Sequence, residues 1–234
     1  MSARVTVRRA SLARLLALAA AALAVVAVTG TAPTPAYAHG NIIDAPSRNV
    51  GCWLRWGNDF NNPAMQTQDP MCWQAWRANP NTMWNWMGLY RDGMGRNFQS
   101  AVPDGTLCSM NRAQNGLGTS LDAVGNWRAK DVGRNFRLTL LDQASHGADF
   151  IRVYLTKAGF DPTTQPLGWG DLDLVTTVGN TPASQWQRVT TPTSGVQLSF
   201  DVAANHSGRA VVLTIWQASH NDQAYFMCSD VNIA

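Results

Sequence analysis

Hydrophobic and polar residues alternate in the second half of the chain, first at Phe136–Leu140 and then at Phe150–Leu155. Such alternation is typical of a β-strand with one buried face. Further short apolar segments follow at Leu172–Val178, Val196–Val202, Ala210–Gln217 and Tyr225–Val231, separated by Gly, Pro, Asn and Asp. Short strands at this spacing predict an antiparallel β-sandwich, to which Gly40–Ile43 could add a strand.

The preceding region, from residue 39 to about residue 130, has little alternation and is rich in Asn, Asp, Gly and Pro. Six of the ten tryptophans lie between Trp53 and Trp86. Apolar spacing predicts one short helix at Pro70–Arg77 and another at Asn81–Tyr90, with ordered loop elsewhere. The fold class is therefore mainly β, an immunoglobulin/fibronectin III-like antiparallel β-sandwich with a long, partly helical loop insertion near the N-terminus. A loop region of this length in a compact domain is usually functional.

The first 38 residues have the pattern of a secretory signal peptide. Four arginines precede an apolar run from Leu15 to Val28, and the small-x-small segment Ala36-Tyr37-Ala38 follows. The run is short and alanine-rich for a membrane span, although an uncleaved anchor is the alternative. We expect a secreted, extracellular protein consisting of one domain, residues 39–234.

Loss of residues 1–38 changes the charge of the protein. It removes four of the 18 Lys and Arg residues and none of the 15 acidic residues, so that the net charge of +3 becomes −1. No basic run remains that would bind nucleic acid or an anionic membrane. We therefore expect neither partner, and a monomer is the default state for a secreted single domain.

The predicted mature chain contains four cysteines, Cys52, Cys72, Cys108 and Cys228. An even number in an oxidising compartment favours two disulfides over a thiolate metal site, and no C-x-x-C spacing is present. Three pairings are possible. We favour Cys52–Cys72 with Cys108–Cys228, each of which would stabilise the fold by roughly 2–4 kcal/mol.

His39 would become the first residue of the protein after cleavage behind Ala38. It would then carry an α-amine and an imidazole, and these two nitrogens can chelate one metal ion. The amine has an ordinary pKa of about 7.7–8.0 and loses its proton easily to a metal. Nitrogen donors of this kind suit copper, which is first in the divalent affinity order.

A third nitrogen could come from another histidine, and three are available. His146 lies in a loop of small residues between two predicted strands, His206 lies in a turn, and His220 lies in a polar segment. We favour His146 because a ring in a small-residue loop can point into an open site.

Other chemistries have weaker support in the sequence. Several aspartates are available for a glycosidase, but no pair is singled out by spacing, and no G-x-S-x-G motif is present. Aromatic clusters usually build core, so most tryptophans of the 53–86 stretch are expected to pack. An exposed ring on a flat face would instead stack on sugars, and the candidates are Trp84, Trp86 and Trp56.

Several segments together resemble a family of secreted bacterial enzymes. They are His39-Gly40, RNVGCWLRWG at 48–57, DPMCWQAW at 69–76, MWNW at 83–86, VPDGTLC at 102–108, QASHGAD at 143–149 and CSDV at 228–231. On these segments the chain resembles the lytic polysaccharide monooxygenases of auxiliary activity family 10, formerly grouped with chitin-binding proteins. The similarity extends over essentially all of residues 39–234 and is greatest to an actinobacterial subgroup associated with cellulose and chitin.

The resemblance implies one copper ion per chain, held by the amine and Nδ1 of His39 and by Nε2 of His146. It also implies that Ala144 crowds one axial face of the copper and that Tyr225, where most members carry phenylalanine, lies at the other. Gln223 matches a position, often Glu in relatives, that limits the approach of the co-substrate. The implied activity is oxidative cleavage of crystalline cellulose or chitin at C1 or C4, using O2 or H2O2 and an external electron donor.

Two other functions are alternatives to this oxidative one. A non-catalytic polysaccharide-binding protein would explain the aromatic-rich insertion and would not need His146. A copper carrier on a similar sandwich would also use an N-terminal histidine. Carriers usually add methionine-rich segments or further histidines, however, and the eight methionines here are scattered.

Overall fold

The computed structural model of the chain describes residues 39–219 and 222–234. The predicted signal peptide, residues 1–38, and the candidate ligand His220 lie outside the described residues. Within the described part of the chain, no helix has the length and apolar character needed to cross a membrane. The structure therefore covers nearly all of the predicted mature domain.

The described residues form two β-sheets. The strands are β1 (Gly40–Asp44), β2 (Arg91–Asp92), β3 (Lys130–Val132), β4 (Asn135–Asp142), β5 (Ala148–Thr156), β6 (Leu172–Val178), β7 (Gln187–Val189), β8 (Gly195–Ala203), β9 (Gly208–Ala218) and β10 (Gln223–Ile233). The first sheet has the order β1-β4-β8-β7, and the second has the order β2-β10-β9-β5-β6, with β3 beside β10. Only the β3–β10 pair is parallel among these strands. The predicted antiparallel sandwich is confirmed.

One hydrophobic core lies between the two sheets. Strand β4 contributes its alternate residues Phe136, Leu138 and Leu140, and β5 contributes Ile151 and Val153 from the second sheet. The apolar residues that alternate along these strands are thus the ones whose side chains face the opposite sheet.

A second core covers the other face of the six-stranded sheet. Phe150, Leu213 and Phe226 of this sheet pack with Trp76 and Leu107 of the insertion. Strands β9 and β10 are therefore buried on both faces, which explains the consecutive apolar residues at 210–213 of β9 and 224–228 of β10.

The insertion contains several short helical segments. They are α1 (Arg48–Trp56), α2 (Met65–Gln68), α3 (Pro70–Ala78), α4 (Asn81–Trp84), α5 (Phe98–Ala101) and α6 (Ala113–Gly116). Helix α3 agrees with the prediction to within one residue. Helix α1 was predicted as loop, and the predicted helix Asn81–Tyr90 ends early, at Trp84.

The early end of α4 has a structural cause. The main-chain oxygen of Trp86 accepts a hydrogen bond from Nδ2 of Asn41 at 2.6 Å, and that of Met87 accepts one from the Gly40 nitrogen at 3.0 Å. Both acceptors therefore point toward β1 and its polar neighbours. The segment after Trp84 therefore runs along the start of β1 and does not form the helical hydrogen bonds of a longer α4.

Two disulfides fix the insertion. Cys52 of α1 pairs with Cys72 of α3, and Cys108 pairs with Cys228 of β10. This is the pairing favoured from the sequence. A buried ion pair at 2.8 Å also joins Arg48, at the start of α1, to Asp230 of β10. The insertion is thus anchored to strand β10 both covalently and by charge.

Candidate metal centre

His39 lies immediately before β1, and its main chain is held by two segments. Its carbonyl oxygen accepts a hydrogen bond from the nitrogen of Gln143 at 2.7 Å. The next residue, Gly40, pairs with Asp142 at the end of β4 and donates its own nitrogen to Met87. The start of β1 is therefore held between the end of β4 and the insertion.

Gly40 allows a close approach that another residue would prevent. A Cβ atom at this position would lie 2.5 Å from the carbonyl oxygen of Leu141 and 2.6 Å from Cζ3 of Trp216. Only glycine lets the indole of Trp216 lie directly against the main chain beside His39.

His146 lies in the loop that connects β4 to β5, and the carboxylate of Asp142 organises this loop. Its Oδ1 accepts a hydrogen bond from the nitrogen of Ala144 at 3.0 Å, and its Oδ2 accepts one from the nitrogen of Gly147 at 3.1 Å. The nitrogen of His146 also donates to Oδ2. A fully buried carboxylate that receives three main-chain hydrogen bonds defines the loop conformation strongly.

The same carboxylate orients the imidazole of His146. Nδ1 of His146 lies 3.3 Å from Oδ1 of Asp142, and the side chain is buried. Nε2 is then the ring nitrogen on the side away from Asp142. Metal-binding histidines commonly have their second nitrogen against a carboxylate in this way. Sequence reasoning missed Asp142, although an aspartate directly before a loop of small residues is a recognisable turn signal.

Trp216 connects the surroundings of the two histidines. Its Nε1 donates to the carbonyl oxygen of Gly147 at 2.9 Å, and its ring meets the main chain at Gly40. Trp216 is fully buried, and it is a second residue that sequence reasoning did not select. Its position on β9 within a continuous apolar run gave no signal beyond that of a core residue.

Tyr225 is fully buried on β10 and stacks on Trp216 with ring centroids 4.6 Å apart. The ring of Tyr90 also packs against Tyr225, with the ring centroids 5.7 Å apart. Burial raises the pKa of Tyr225 well above its ordinary value, and the charge of Asp142 raises it further. Its phenol therefore stays protonated at any physiological pH.

Gln223 begins β10 and is almost completely buried. Its carbonyl oxygen accepts a hydrogen bond from Nε2 of the buried Gln217 at 3.0 Å, and it pairs with Asp92 of β2. The predicted residues Tyr225 and Gln223 thus belong to the start of β10, and Ala144 belongs to the loop that also carries His146.

The three candidate aromatic residues have different environments. Trp84 is 45% exposed, with its ring against Trp76 at 5.1 Å. Trp86 is only 3% exposed and packs on Trp53, so the expectation of a polysaccharide contact is corrected to a core role. Trp56 is partly buried, and its Nε1 donates to Asp69 at 2.9 Å.

The remaining described histidine lies elsewhere. His206 belongs to the turn before β9, whose first residue pairs with Ile233, whereas the other end of β9 adjoins the His146 loop. Within residues 39–219 and 222–234, no group of three or more His, Cys, Asp or Glu side chains could hold a metal ion. His39 and His146 lie at the same end of the sandwich and stay the predicted ligands.

Three comparisons with known proteins relate this geometry to a family. Residues 39–231 match the family model described as "Lytic polysaccharide mono-oxygenase, cellulose-degrading". The structure of LPMO10B from Micromonospora aurantiaca is 57% identical, with a TM-score of 0.79, and the match covers 83% of this chain and 99% of that chain. The structure of the cellulose-active CelS2 in complex with copper is 28% identical, with a TM-score of 0.69, over 83% of this chain and 98% of that chain.

A curated relative gives the same result. A lytic cellulose monooxygenase of Streptomyces ambofaciens is 33% identical over 202 residues, which are 84% of this chain and 53% of the relative. The chain spans about half the length of the curated relatives it matches. Because the family model matches most of the sequence, from the histidine before β1 almost to the end of β10, this chain belongs to the lytic polysaccharide mono-oxygenase family.

Proposed function

We propose that this protein is a secreted, copper-dependent enzyme that cleaves glycosidic bonds of crystalline cellulose or chitin by oxidation at C1 or C4. The observation that carries the proposal is the 2.7 Å hydrogen bond between His39 and Gln143, which holds the start of β1 beside the loop of His146. Family membership and the copper complex of CelS2 support the choice of metal.

One copper ion would be held by the α-amine and Nδ1 of His39 and by Nε2 of His146. This ligand set requires cleavage after Ala38, because the nitrogen of an internal His39 is an amide. The orientation of the His146 ring against Asp142 agrees with binding through Nε2. Two imidazoles and an amine form a donor set that suits copper.

When bound, copper would supply the activation of O2 or H2O2, with electrons from an external donor. The role of the chain is to keep the ligands rigid and to control access. Asp142 fixes the His146 ring, and Trp216 joins the segments beside both histidines. Ala144 would limit access to the metal by its size, and the buried side chains of Tyr225 and Gln223 would exclude bulk water from its surroundings.

The substrate is an insoluble polymer, which cannot enter a cleft. Trp84 is the candidate for contact with the polymer surface, since its ring is 45% exposed and it lies three residues before Met87, which binds the start of β1. Trp56 belongs to the same insertion and is less exposed. A monomer acting outside the cell is sufficient for this chemistry.

The test is a product analysis of the mature protein, beginning at His39 and loaded with copper. It is incubated with a reductant on crystalline cellulose and, separately, on chitin, and the soluble products are analysed by mass spectrometry. We expect oxidised oligosaccharides from at least one polymer. The position of the oxidation, C1 or C4, follows from the mass and fragmentation of these products.

Two variants provide the controls. His146→Ala should abolish the oxidised products while leaving adsorption to the polymer intact, and His206→Ala should change neither property. Absence of oxidised products from both polymers with the wild-type protein would remove the proposal.

A non-catalytic polysaccharide-binding protein is the second candidate, favoured by the exposed ring of Trp84. It predicts that Trp84→Ala abolishes adsorption and that His146→Ala has no measurable effect on function. The two candidates are distinguished by the oxidised products, which the enzyme forms and His146→Ala abolishes, whereas a binding protein forms none with or without His146.

A further inference from the structure

A groove of about 400 Å³ lies on the outer side of β5, between residues 96–100 and the side chains of Arg152, Tyr154 and Trp169. Tyr154 is six residues along β5 from Ala148, which is roughly 20 Å at the rise of an extended strand. The Tyr154 side of the groove is therefore well separated from the His146 loop, whereas Arg96, which also lines the groove, pairs with Asp149 near the start of β5. The volume of the groove is within the range of sites that bind small molecules.

The groove is positively charged. The guanidinium groups of Arg152 and Arg96 both lie over the ring of Phe150, at 4.5 and 5.4 Å from its centroid. Arg96 also forms an ion pair with Asp149 at 2.8 Å, whereas Arg152 has no ion pair with any of the described residues. None of the described residues that line the groove is acidic. One positive charge thus remains uncompensated.

Trp169 and Tyr154 form an aromatic wall of the groove beside these charges. The main-chain nitrogen of Trp169 donates to Asp104 at 2.7 Å, and its Nε1 donates to the carbonyl oxygen of Val102 at 2.8 Å. Its ring meets Tyr154 edge to face at 5.9 Å. Both rings are partly exposed, so the wall is fixed in position and still open to a ligand.

The third side of the groove is polar and uncharged. Asn97, Gln99 and Ser100 are exposed there, and the Ser100 hydroxyl donates to the carbonyl oxygen of Asn97 at 3.0 Å. Amides and a hydroxyl can hydrogen-bond the several hydroxyls of a sugar ring. A planar phenolic compound has fewer hydroxyls to use these partners, so the polar side favours a sugar. A carboxylate would pair with the guanidinium of Arg152.

We infer that this groove binds a carboxylated sugar, with its ring on the wall of Trp169 and Tyr154 and its carboxylate on Arg152. Two sources have this chemistry. One is the aldonic acid end of an oligosaccharide oxidised at C1, and this source rests on the proposed function. The other is a uronic acid residue of an acidic polysaccharide, which is independent of that function.

The test measures binding to the protein without copper, so that it does not depend on catalysis. The probes are cellobionate, a glucuronic acid-containing disaccharide and uncharged cellobiose, each titrated into ¹⁵N-labelled protein. The reporter is the indole N–H signal of Trp169, assigned by its loss in Trp169→Phe. We expect a shift of this signal with at least one acidic sugar, and binding about tenfold or more weaker with cellobiose.

Variants at Arg152 test the charge. Arg152→Gln should weaken the binding of the acidic sugar about tenfold or more, and Arg152→Lys should retain most of it. Arg137→Gln, an exposed arginine on the other sheet, should have no effect. Binding of glucuronate alone would assign the groove to acidic polysaccharide, and binding of cellobionate would assign it to oxidised product. Equal affinity for acidic and uncharged sugars, or no effect of Arg152→Gln, would overturn the inference.

Discussion

The carboxyl group of Asp122 lies beside the main chain of the loop that carries Cys108. Its Oδ1 accepts a hydrogen bond from the nitrogen of Ser109 at 3.0 Å. Burial raises the pKa of Asp122 to about 6, although hydrogen bonds from Ser109 and Cys108 and the charge of Arg48 act in the opposite direction. The folded protein therefore binds this proton more tightly than the unfolded chain does.

This raised pKa predicts a pH dependence of stability. Asp122 has no electrostatic cost below pH 3.8, where it is neutral in both states, and the cost grows as the pH rises to about 6. Replacement by Asn removes the charge and keeps the acceptor for Ser109. We expect Asp122→Asn to raise the free energy of unfolding at pH 7 by roughly 1–3 kcal/mol relative to wild type, and by almost nothing at pH 3.5. Urea unfolding across this range measures the difference.

The exposed Asp59 provides a matched control for this prediction. Asp59→Asn should leave the difference from wild type nearly constant between pH 3.5 and pH 7. A stability gain for Asp122→Asn that does not change with pH would mean that the gain has another cause than the removal of a buried charge.

A residue of the candidate site could be identified from the sequence only where the residues next to it marked its role. His39 is marked by the cleavage pattern before it, and His146 by its small-residue loop. Asp142 acts through hydrogen bonds to the loop that follows it, and Trp216 acts through contacts with two distant glycines. Such roles exist only after β1, β4 and β9 have come together. Trp86 was misassigned for the same reason, since its burial follows from a chain path that its own sequence does not encode.

The two disulfides join different kinds of element and close loops of different length. Cys52–Cys72 links α1 to α3 over a sequence separation of 20, while Cys108–Cys228 links the insertion to β10 over a separation of 120. Loop-closure entropy assigns them about 3.3 and about 4.9 kcal/mol. We therefore expect the double replacement Cys108→Ala with Cys228→Ala to lower the free energy of unfolding by about 1.6 kcal/mol more than Cys52→Ala with Cys72→Ala. Denaturant unfolding of both variants provides the values.

Neither cysteine pair belongs to the predicted copper ligands, so copper binding by each folded variant serves as the control. Both variants should bind copper as the wild type does under conditions in which they are folded. If loss of Cys52–Cys72 is the more destabilising change, the stabilisation comes from local packing of α1 on α3 and not from the length of the closed loop.

Secondary structure could be predicted well where one face of an element meets one core. The strands β4, β5, β6, β8, β9 and β10 were all found from apolar patterns, and β6 has the predicted bounds. Helix α1 was missed because its buried positions include the polar residues Arg48 and Asn49, which are satisfied by Asp230 and by main-chain oxygens of the insertion. Hydrophobic periodicity cannot report a helix whose buried face is partly polar.

The candidate site depends on the whole sandwich because its parts come from both sheets. His39 precedes β1 of the first sheet, and His146 lies on the connection from β4 of the first sheet to β5 of the second. Trp216 and Tyr225 come from β9 and β10 of the second sheet. The two histidines are 107 positions apart in the sequence, and only the pairing of β1 with β4 brings their segments together. No local pattern could have predicted this.

This arrangement predicts that the terminal position of His39 is as important as its imidazole. A protein beginning at His39 should bind one Cu²⁺ tightly. A form with one additional residue before His39 has the same sheets and the same rings, but its His39 nitrogen is an amide. Loss of a ligand atom should weaken copper binding more than loss of a residue that only supports a ligand. We therefore expect copper affinity to fall by more than about 100-fold. Titration calorimetry with Cu²⁺ measures the affinity of each form.

Thermal unfolding adds a second measurement to this comparison. Because a ligand that binds only the folded state raises its stability, copper should raise the Tm of the form beginning at His39 and hardly change that of the extended form. His206→Ala in the form beginning at His39 is the control, and its affinity should be unchanged because His206 lies at the other end of β9. Equal affinity of the original and the extended form would show that the amine is not a ligand. The proposed copper site would then have lost its third nitrogen, and the exposed ring of Trp84 would make polysaccharide binding without oxidation the better explanation of this surface.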